Sequence, residues 1–267
     1  MVSKLAAQLY TMREYTKTAS SFQAVLQVCH EIGYAGVQLS AIGCMNGENP
    51  EVDAKQAKAM LENSGLVCCA THRPWERLVH QTEEEIEFHK ILDCEYVAIG
   101  GISWDYGVEP NDYRRFLNDA MPVIEKLKAA GIRFGFHNHQ FEFIRNPETG
   151  RPCYDILIDE GGADLMLEID TYWAAVAGVD PAALLGKCRN RIPVIHMKDM
   201  EVVAKVGSVM CPVGEGNLDW PRIVEVCEDA GTEWYVVEQD DCRRDPVDCL
   251  RSSWEYLADL EMSGSTL

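Results

Sequence analysis

Four apolar segments of this chain end at, or just before, a side chain that can carry charge. The segments are GIRFGFHNHQFEF, LMLEID, PVIHM and WYVVEQD, and the side chains are Glu142, Asp170, His196 and Glu238. Short apolar runs of this kind are typical of buried strands. In a parallel barrel the carboxyl ends of the strands meet at one rim, where such barrels keep their catalytic groups. The pattern therefore predicts that the four side chains form one site.

Three carboxylates in one site are unfavourable unless their charge is compensated. At an effective dielectric constant near 20, two carboxylates about 4 Å apart repel by roughly 4 kcal/mol, and a whole domain is stable by only about 5–15 kcal/mol. Either the acids are protonated or a cation lies among them. Three oxygen ligands and one imidazole suit one divalent metal ion, with Mn²⁺ as the first expectation and Mg²⁺, Co²⁺ or Zn²⁺ as the others.

Strand alternation adds further polar side chains to the predicted site, because residues two apart share a face. The pairs on one face are Glu168 with Asp170, His196 with Lys198, Glu238 with Asp240, and His137 with His139. The candidate substrate-binding residues are His72, His137, His139, Trp173, Lys198 and Asp240. Simpler roles remain open: Asp170 as a helix cap, His196 as a core histidine, and Lys198 as the partner of Asp199.

The fold is predicted from a repeated junction in which a helix ends at glycine and an apolar, β-rich run follows. The junctions are EIGYAGVQLS, NSGLVCCATH, AAGIRFGFHNH and DAGTEWYVVEQD. With LAAQLY, EYVAIGG, ADLMLEID and RIPVIHM they give eight strand candidates at a spacing that suits one βα unit each. We therefore expect one (β/α)8 TIM barrel over residues 1–267. A doubly wound sheet is the second choice, since no Gly-rich phosphate turn follows an early strand.

Seven helices are predicted between the strands, at Ser20–Ile32, Val52–Ser64, Thr82–Leu92, Asn111–Ala130, Asp180–Lys187, Trp220–Ala230 and Pro246–Leu260. Residues 262–267 (MSGSTL) are expected to form a frayed, flexible tail. Residues 201–218 are long for a connection. Because loops after barrel strands form the active face, this segment is a candidate lid.

Composition restricts the partners of the chain. Its formal charge is −19 over 267 residues, which disfavours binding to a phosphate backbone and to anionic lipid surfaces. The eleven cysteines include no C-x-x-C pair, and the N-terminal MVSKLAAQLY lacks the apolar segment of a signal peptide. The expectation is a cytoplasmic enzyme with no membrane or nucleic-acid partner. A homodimer or a larger homo-oligomer is possible.

Several segments resemble the xylose isomerase-like sugar isomerase/epimerase superfamily. They are FHNHQFEF, LEIDTYWAAVAGVDP, RIPVIHMKDM, GEGNLDW and EWYVVEQDD. The resemblance implies a metal held by Glu142, Asp170, His196 and Glu238, with the two glutamates also acting as acid and base. There is one departure: ketose 3-epimerases carry the fifth-strand glutamate near the position of Gly135. Glu142 is the nearest acid here, as in the HNH-containing branch.

The resemblance implies a sugar or polyol isomerase or epimerase. In that chemistry a proton is removed next to a carbonyl, and an enediolate stabilised by the metal is formed. The first alternative is a metal-dependent lyase that dehydrates an inosose or eliminates from a 3-keto-sugar. An apurinic endonuclease is less expected, because that chemistry needs more histidines and a basic DNA-binding face. A sugar-binding protein without catalysis is the non-enzymatic alternative.

Overall fold

Eight parallel strands form a closed barrel in the computed structural model, which describes residues 1–103 and 105–262. The barrel strands are β1 (Leu5–Gln8), β2 (Gly36–Leu39), β3 (Val67–His72), β4 (Tyr96–Ile99), β5 (Arg133–His137), β6 (Leu165–Asp170), β7 (Val194–Met197) and β10 (Trp234–Val237). Strand β10 pairs with both β7 and β1 and so closes the ring. The predicted (β/α)8 barrel is confirmed, and the doubly wound sheet is excluded.

Helices separate the strands and cover the outside of the barrel. They are α1 (Ala19–Ile32), α2 (Ala54–Asn63), α3 (Trp75–His80), α4 (Thr82–Leu92), α5 (Pro110–Ala129), α6 (Tyr154–Glu160), α7 (Thr171–Val176), α8 (Pro181–Lys187), α9 (Trp220–Ala230) and α10 (Pro246–Met262). The seven predicted helices agree with this to within about two residues at each end. The short helices α3, α6 and α7 were missed because six or seven residues carry too little periodicity. Helix α8 is equally short, but its Asp180 cap and Pro181 at the first helical position mark its start in the sequence.

The barrel interior is filled by a small cluster of side chains, in which Tyr96 on β4 is the largest. Tyr96 is 1% exposed and packs with small residues such as Ala6, Ala70 and Ala98. Its ring lies against Gly135 on β5, where an added Cβ would come within 1.9 Å of the Tyr96 hydroxyl. Tyr96 therefore fills the volume that a fifth-strand glutamate would occupy at position 135.

Residues 199–211 form an antiparallel β-hairpin, so the connection after β7 is not an open loop over its whole length. Strands β8 (Asp199–Val203) and β9 (Gly207–Cys211) pair antiparallel, and the Asp199 carboxylate holds the segment that follows them. This buried carboxylate accepts hydrogen bonds from the main-chain N–H groups of Met200, Gly214, Gly216 and Leu218 and from Trp220 Nε1. Asp199 is thus fully engaged within the hairpin connection and does not pair with Lys198.

The chain end differs by one residue from the expected tail. Met262 is the last residue of α10, so the sequence prediction of a tail from 262 was wrong at that residue. The reason is that neither glycine nor proline interrupts the helix before Gly264. Residues 263–267 of the predicted tail lie outside the described residues. Across the described ranges, no helix has the length and apolar character needed to span a bilayer.

The carboxylate of Asp199 gives a test of this part of the fold. We expect Asp199→Ala to lower the free energy of unfolding by about 3 kcal/mol or more, because it leaves several buried donors unsatisfied. Urea denaturation measures this change. Asp229→Ala is the matched control, since Asp229 is exposed and pairs only at the surface with Arg189. A control-sized loss, below about 0.5 kcal/mol, would contradict the role of Asp199.

Candidate metal and substrate site

Four buried side chains meet at the carboxyl rim of the barrel. His137 on β5, Asp170 on β6, His196 on β7 and Glu238, just after β10, each offer a ligand atom, and these atoms all lie within 4.8 Å of one another. Three of the four predicted ligands are therefore brought together. His137, predicted as a substrate-binding residue, takes the fourth place. Glu142 is not a member of this group.

Asp170 is positioned by the elements on both sides of it. Its main-chain N–H donates to Asn138 Oδ1 at 2.9 Å, so the middle residue of the HNH sequence fixes the end of β6. Its Oδ1 atom accepts from Trp173 N at 3.0 Å and caps α7. The other oxygen, Oδ2, lies 2.9 Å from Lys198 Nζ and 3.3 Å from His137 Nε2. Asp170 thus acts as a helix cap while one oxygen still faces the site.

His196 is oriented by Gln38, which lies 158 residues earlier in the chain. Its Nε2 atom lies 2.7 Å from Gln38 Oε1 on β2, and its Nδ1 atom lies 2.8 Å from Glu238 Oε2. Gln38 in turn donates to Glu168 Oε1 at 2.9 Å, which fixes its amide orientation. Because the Nε2–H group donates its hydrogen bond to Gln38 Oε1, a neutral His196 directs the lone pair of Nδ1 into the site.

Lys198 lies among three carboxylates of the site. Its ammonium is 2.9 Å from Asp170 Oδ2, 2.8 Å from Glu238 Oε2 and 3.0 Å from Asp240 Oδ1. The residue is 1% exposed. Burial lowers the pKa of Lys198, but the neighbouring carboxylates outweigh it and raise the pKa above its usual value. Lys198 is therefore a fixed positive charge in the floor of the site.

The pKa values of the imidazoles differ because their neighbours differ. Burial lowers the pKa of His196, but the charges of Glu168 and Glu238 more than offset this and raise it to about 10. Burial and the adjacent His196 lower the pKa of His137 to about 3. In the metal-free protein one histidine is thus cationic and the other neutral.

Four carboxylates face these positive groups. Burial opposes ionisation of Glu168 and Glu238, but the surrounding cationic groups lower the pKa of both. Burial and the nearby Glu238 charge raise the pKa of Asp240 to about 6. With Asp170 also ionised beside Lys198, negative charge exceeds positive charge near neutral pH. The site therefore has a net attraction for a further cation.

Glu142 occupies a separate environment behind the loop that follows β5. It is 2% exposed, and its Oε2 atom accepts from the main-chain N–H of His139 at 2.8 Å. Burial raises the pKa of Glu142 to about 7. Its carboxylate supports the HNH loop in this structure, and it does not line the main cavity.

A cavity of about 760 Å³ opens above the four-residue cluster. Five of the six predicted substrate-binding residues line it, together with Glu238: His72, His137, His139, Lys198 and Asp240. Trp173 is set back from the wall, with its ring 5.5 Å from that of His139 and 5.7 Å from Lys198 Nζ. Of residues 201–218, the candidate lid, none lines the cavity. Met210 in this segment contacts a lining residue without lining the cavity itself: its Sδ atom accepts a hydrogen bond from the main-chain N–H of Asp240.

Sequence reasoning missed two positioning residues, Gln38 and Asn138. Gln38 lies in VQLS, a strand whose only sign of chemistry is one buried amide. A polar residue at a core position inside the strand, two before Ser40, is the signal that could have revealed it. Asn138 was visible within HNH, but its contact with Asp170 requires the register of β5 and β6.

The residues fit a divalent metal ion. His137 Nδ1 is buried and, within the described part of the chain, has no hydrogen-bond partner. One nitrogen of this ring is therefore still able to bind a ligand. His196 can present Nδ1, and Asp170 and Glu238 each present an oxygen to the same point. Two imidazoles and two carboxylates form a donor set that divalent transition metals accept.

The contact between Gln38 and His196 predicts an effect on metal binding. We expect Gln38→Leu to weaken metal affinity by about 10- to 100-fold, because the imidazole loses the partner that fixes its tautomer. Competition with a chromophoric chelator measures this affinity. Gln27→Leu, on the exposed face of α1, is the control. An affinity unchanged within about twofold of the parent would contradict the assignment.

Burial of Glu142 predicts a pH dependence in the metal-free protein. Its pKa rises on folding from 4.5 to about 7, so the folded chain keeps a proton that the unfolded chain releases. Stability from this group is present at low pH and is lost as pH rises through about 5–7. Relative to Glu142→Gln, the parent should lose about 3 kcal/mol over this range. The measurement is the free energy of unfolding of both proteins as a function of pH, with a chelator present. The same pH dependence in the two proteins would contradict the burial argument.

Comparison with known proteins agrees with the fold. The family described as xylose isomerase-like TIM barrel matches residues 26–260. The rhizopine catabolism protein MocC of Rhizobium meliloti is 27% identical, with 87% of this chain and 79% of that protein covered.

Two solved structures illustrate the shared fold. A sugar phosphate isomerase/epimerase from Parabacteroides distasonis has a TM-score of 0.78 at 20% identity, with 96% of this chain and 93% of the other covered. The IOLI protein, determined with a zinc atom, has a TM-score of 0.71 at 12% identity, with 99% and 100% covered. The match of the family over most of the chain decides the assignment. This protein belongs to the xylose isomerase-like TIM barrel family.

Proposed function

We propose that this protein is a divalent-metal-dependent isomerase or epimerase that removes a proton beside the carbonyl group of a sugar or polyol. The observation that carries the proposal is the buried cluster of His137, Asp170, His196 and Glu238 at the base of a large cavity. The name of the Parabacteroides neighbour and the zinc atom of the IOLI protein support it. The cavity lies at the carboxyl rim, where barrels of this class carry their chemistry.

The four clustered residues would hold the metal. Two imidazoles make Zn²⁺, Co²⁺ and Mn²⁺ better candidates than Mg²⁺, which prefers oxygen ligands and retains its water. When bound, such an ion would polarise the substrate carbonyl and its neighbouring hydroxyl, which makes the adjacent C–H more acidic. Glu142 enters this set only if the loop after β5 rearranges, because its carboxylate is held by His139 N.

The acid–base groups lie on different walls of the cavity. Glu238 follows β10 and reaches the cavity wall, so it is the member of the predicted glutamate pair placed to accept a substrate proton. Asp240, with a pKa raised to about 6, is a second proton acceptor beside it. His139 lines the wall above β5, three strands away around the rim. Proton removal on one face and return on the other gives epimerisation.

Lys198 supplies positive charge where the substrate becomes negative. Its ammonium is already fixed by three carboxylates and lines the cavity, so little reorganisation is needed to stabilise an enediolate oxygen. Return of the proton to the neighbouring carbon, instead of the same carbon, would give aldose–ketose isomerisation.

A metal-dependent lyase is the second candidate. His139 and Lys198 both line the cavity, so a proton donor is available to a hydroxyl that leaves from the carbon next to the carbanion. The first step, proton removal by Glu238, is the same in both reactions. The two functions therefore differ in product: a lyase releases water and an isomerase conserves the substrate formula.

Deuterium uptake from heavy water tests the shared first step. With the metal-loaded protein and a panel of ketoses, inososes and 3-keto-glycosides, we expect exchange at the carbon beside the carbonyl, detected by mass spectrometry. Glu238→Gln should slow this exchange by about 10²–10⁴-fold, because the proton acceptor is lost.

Glu233→Gln is the control, since Glu233 forms an exposed ion pair with Arg133 far from the cavity. Loss of eighteen mass units from the product would identify the lyase. Exchange that is equally fast in Glu238→Gln would rule out Glu238 as the base.

A further inference from the structure

An epimerisation needs a second group that returns the proton to the substrate from the side opposite Glu238. The imidazole and ammonium groups that line the cavity belong to His72, His137, His139 and Lys198. His137 is a member of the metal-ligand cluster, and Lys198 lies 2.8 Å from Glu238 itself, on the side of the base. His72 and His139 therefore remain. The choice between them rests on the proposed function, which places the reacting carbon over the cluster.

His72 is held in place by a buried carboxylate. It is the last residue of β3, and its Nε2 atom forms a hydrogen bond with Glu168 Oε2. Glu168 is fully buried, and its other oxygen accepts a hydrogen bond from Gln38 Nε2 at 2.9 Å. A carboxylate that is bonded to one nitrogen of an imidazole fixes the ring and stabilises its protonated form. His72 is thus oriented to carry a proton on its second nitrogen.

The second nitrogen of His72 is accessible from the cavity. The side chain is 14% exposed, whereas Glu168 behind it has no exposed surface. Its Nδ1 atom lies beside Gly100, another residue of the cavity wall, where an added Cβ would come within 3.7 Å of this nitrogen. Among the described residues, none forms a hydrogen bond with His72 Nδ1. This nitrogen is therefore available to a substrate.

His72 and Glu238 lie on different sides of the cluster. Strands β1 and β2 separate β3 from β10 around the barrel. The His196 ring lies between the two groups: its Nδ1 atom is 2.8 Å from Glu238, and its Nε2 atom is 3.4 Å from the Glu168 oxygen that holds His72. A substrate over the cluster would therefore have Glu238 on one side and His72 on the other.

His139 lacks the support that His72 has. Its ring packs against those of His137 and Trp173, at centroid distances of 4.9 Å and 5.5 Å. Within the described ranges, no carboxylate forms a hydrogen bond with this ring, and only its main-chain groups are engaged, the N–H with Glu142. Without such a partner the ring is neither fixed in one tautomer nor stabilised in the protonated form.

From the held imidazole, its accessible nitrogen and its place across the rim from Glu238, we propose that His72 is the second proton carrier of an epimerisation and Glu168 its positioning residue. In one direction Glu238 takes the proton from the carbon beside the carbonyl, and the electron pair of that C–H bond forms the enediolate. The Nδ1–H group of His72 then gives its proton to the same carbon from the other face, and the carbonyl forms again. In the reverse direction neutral His72 accepts the proton and protonated Glu238 returns it. Proton exchange with water restores both groups.

Deuterium exchange and epimer formation, measured separately, test this assignment. The metal-loaded parent, His72→Asn and Glu168→Gln are incubated in heavy water with two epimeric ketose pairs, D-fructose with D-psicose and D-tagatose with D-sorbose, and with scyllo-inosose and methyl 3-keto-glucoside. Mass spectrometry measures the deuterium in each recovered sugar, and chromatography separates the epimers.

We expect His72→Asn to form the epimer about 10²–10⁴-fold more slowly than the parent, because the proton donor is lost. The epimer whose proton faces Glu238 should still exchange at a rate within about tenfold of the parent, since its base is intact. The other epimer should not exchange. The loss expected in Glu238→Gln correspondingly applies to the epimer whose proton faces Glu238. Glu168→Gln should show the same split between the two epimers with a smaller loss, because His72 remains without its carboxylate partner.

His80→Asn is the matched control, since His80 is exposed on α3 and pairs only with Glu76. It should match the parent in exchange and in epimer formation. Elemental mass spectrometry should find the same metal content in all four proteins. This measurement separates a lost proton transfer from a lost metal site, and Glu168→Gln carries the test if His72→Asn does not fold.

Three results would overturn the assignment alone. They are epimer formation in His72→Asn as fast as in the parent, an equal loss of exchange for both epimers in a variant that keeps its metal, and a parent that exchanges or dehydrates its substrate without forming an epimer. Absence of exchange in the parent with every carbonyl compound is distinguishable from these. It would overturn the proposed function, and the assignment of His72 with it.

Discussion

The repulsion among carboxylates buried at the carboxyl rim is the constraint on which the rest of the site depends. Asp170 and Glu238 are held within a few ångströms of each other by strand register, and water cannot screen them. Such an arrangement is stable only when positive charge lies between the acids. Lys198 and the protonated His196 supply part of that charge. The remaining negative charge is what makes the site suited to a divalent ion.

This constraint also explains why the supporting residues are so highly connected. Gln38 fixes the His196 ring, and Glu168 fixes Gln38 while also contacting His72. Each hydrogen bond restricts the rotation of a side chain that could otherwise move its charge toward solvent. The result is a floor whose donors are set before a ligand arrives, which is how electrostatic stabilisation avoids the cost of reorganisation.

The sequence predicted those parts of the site that follow from strand periodicity. Asp170, His196 and Glu238 end apolar runs, so alternation and the barrel rim place them together. Glu142 lies beyond the strand, in the loop that follows HNH, where strand periodicity does not predict which way a side chain points. The network of Gln38 could not be predicted because it joins residues far apart in the chain, and their contact depends on barrel closure. The close packing of Tyr96 on Gly135 is likewise visible only in three dimensions.

The most direct test of the account is the metal content of the purified protein and of Asp170→Asn, by elemental mass spectrometry. Asp164→Asn, altered at a surface ion pair with Lys128, is the control. The account predicts about one Zn, Mn or Co per chain in the parent and the control, and a large loss in Asp170→Asn. No bound metal in the parent, even after each ion is added back and excess removed, would contradict it. The Lys198 ammonium would then be the cation that holds the site together.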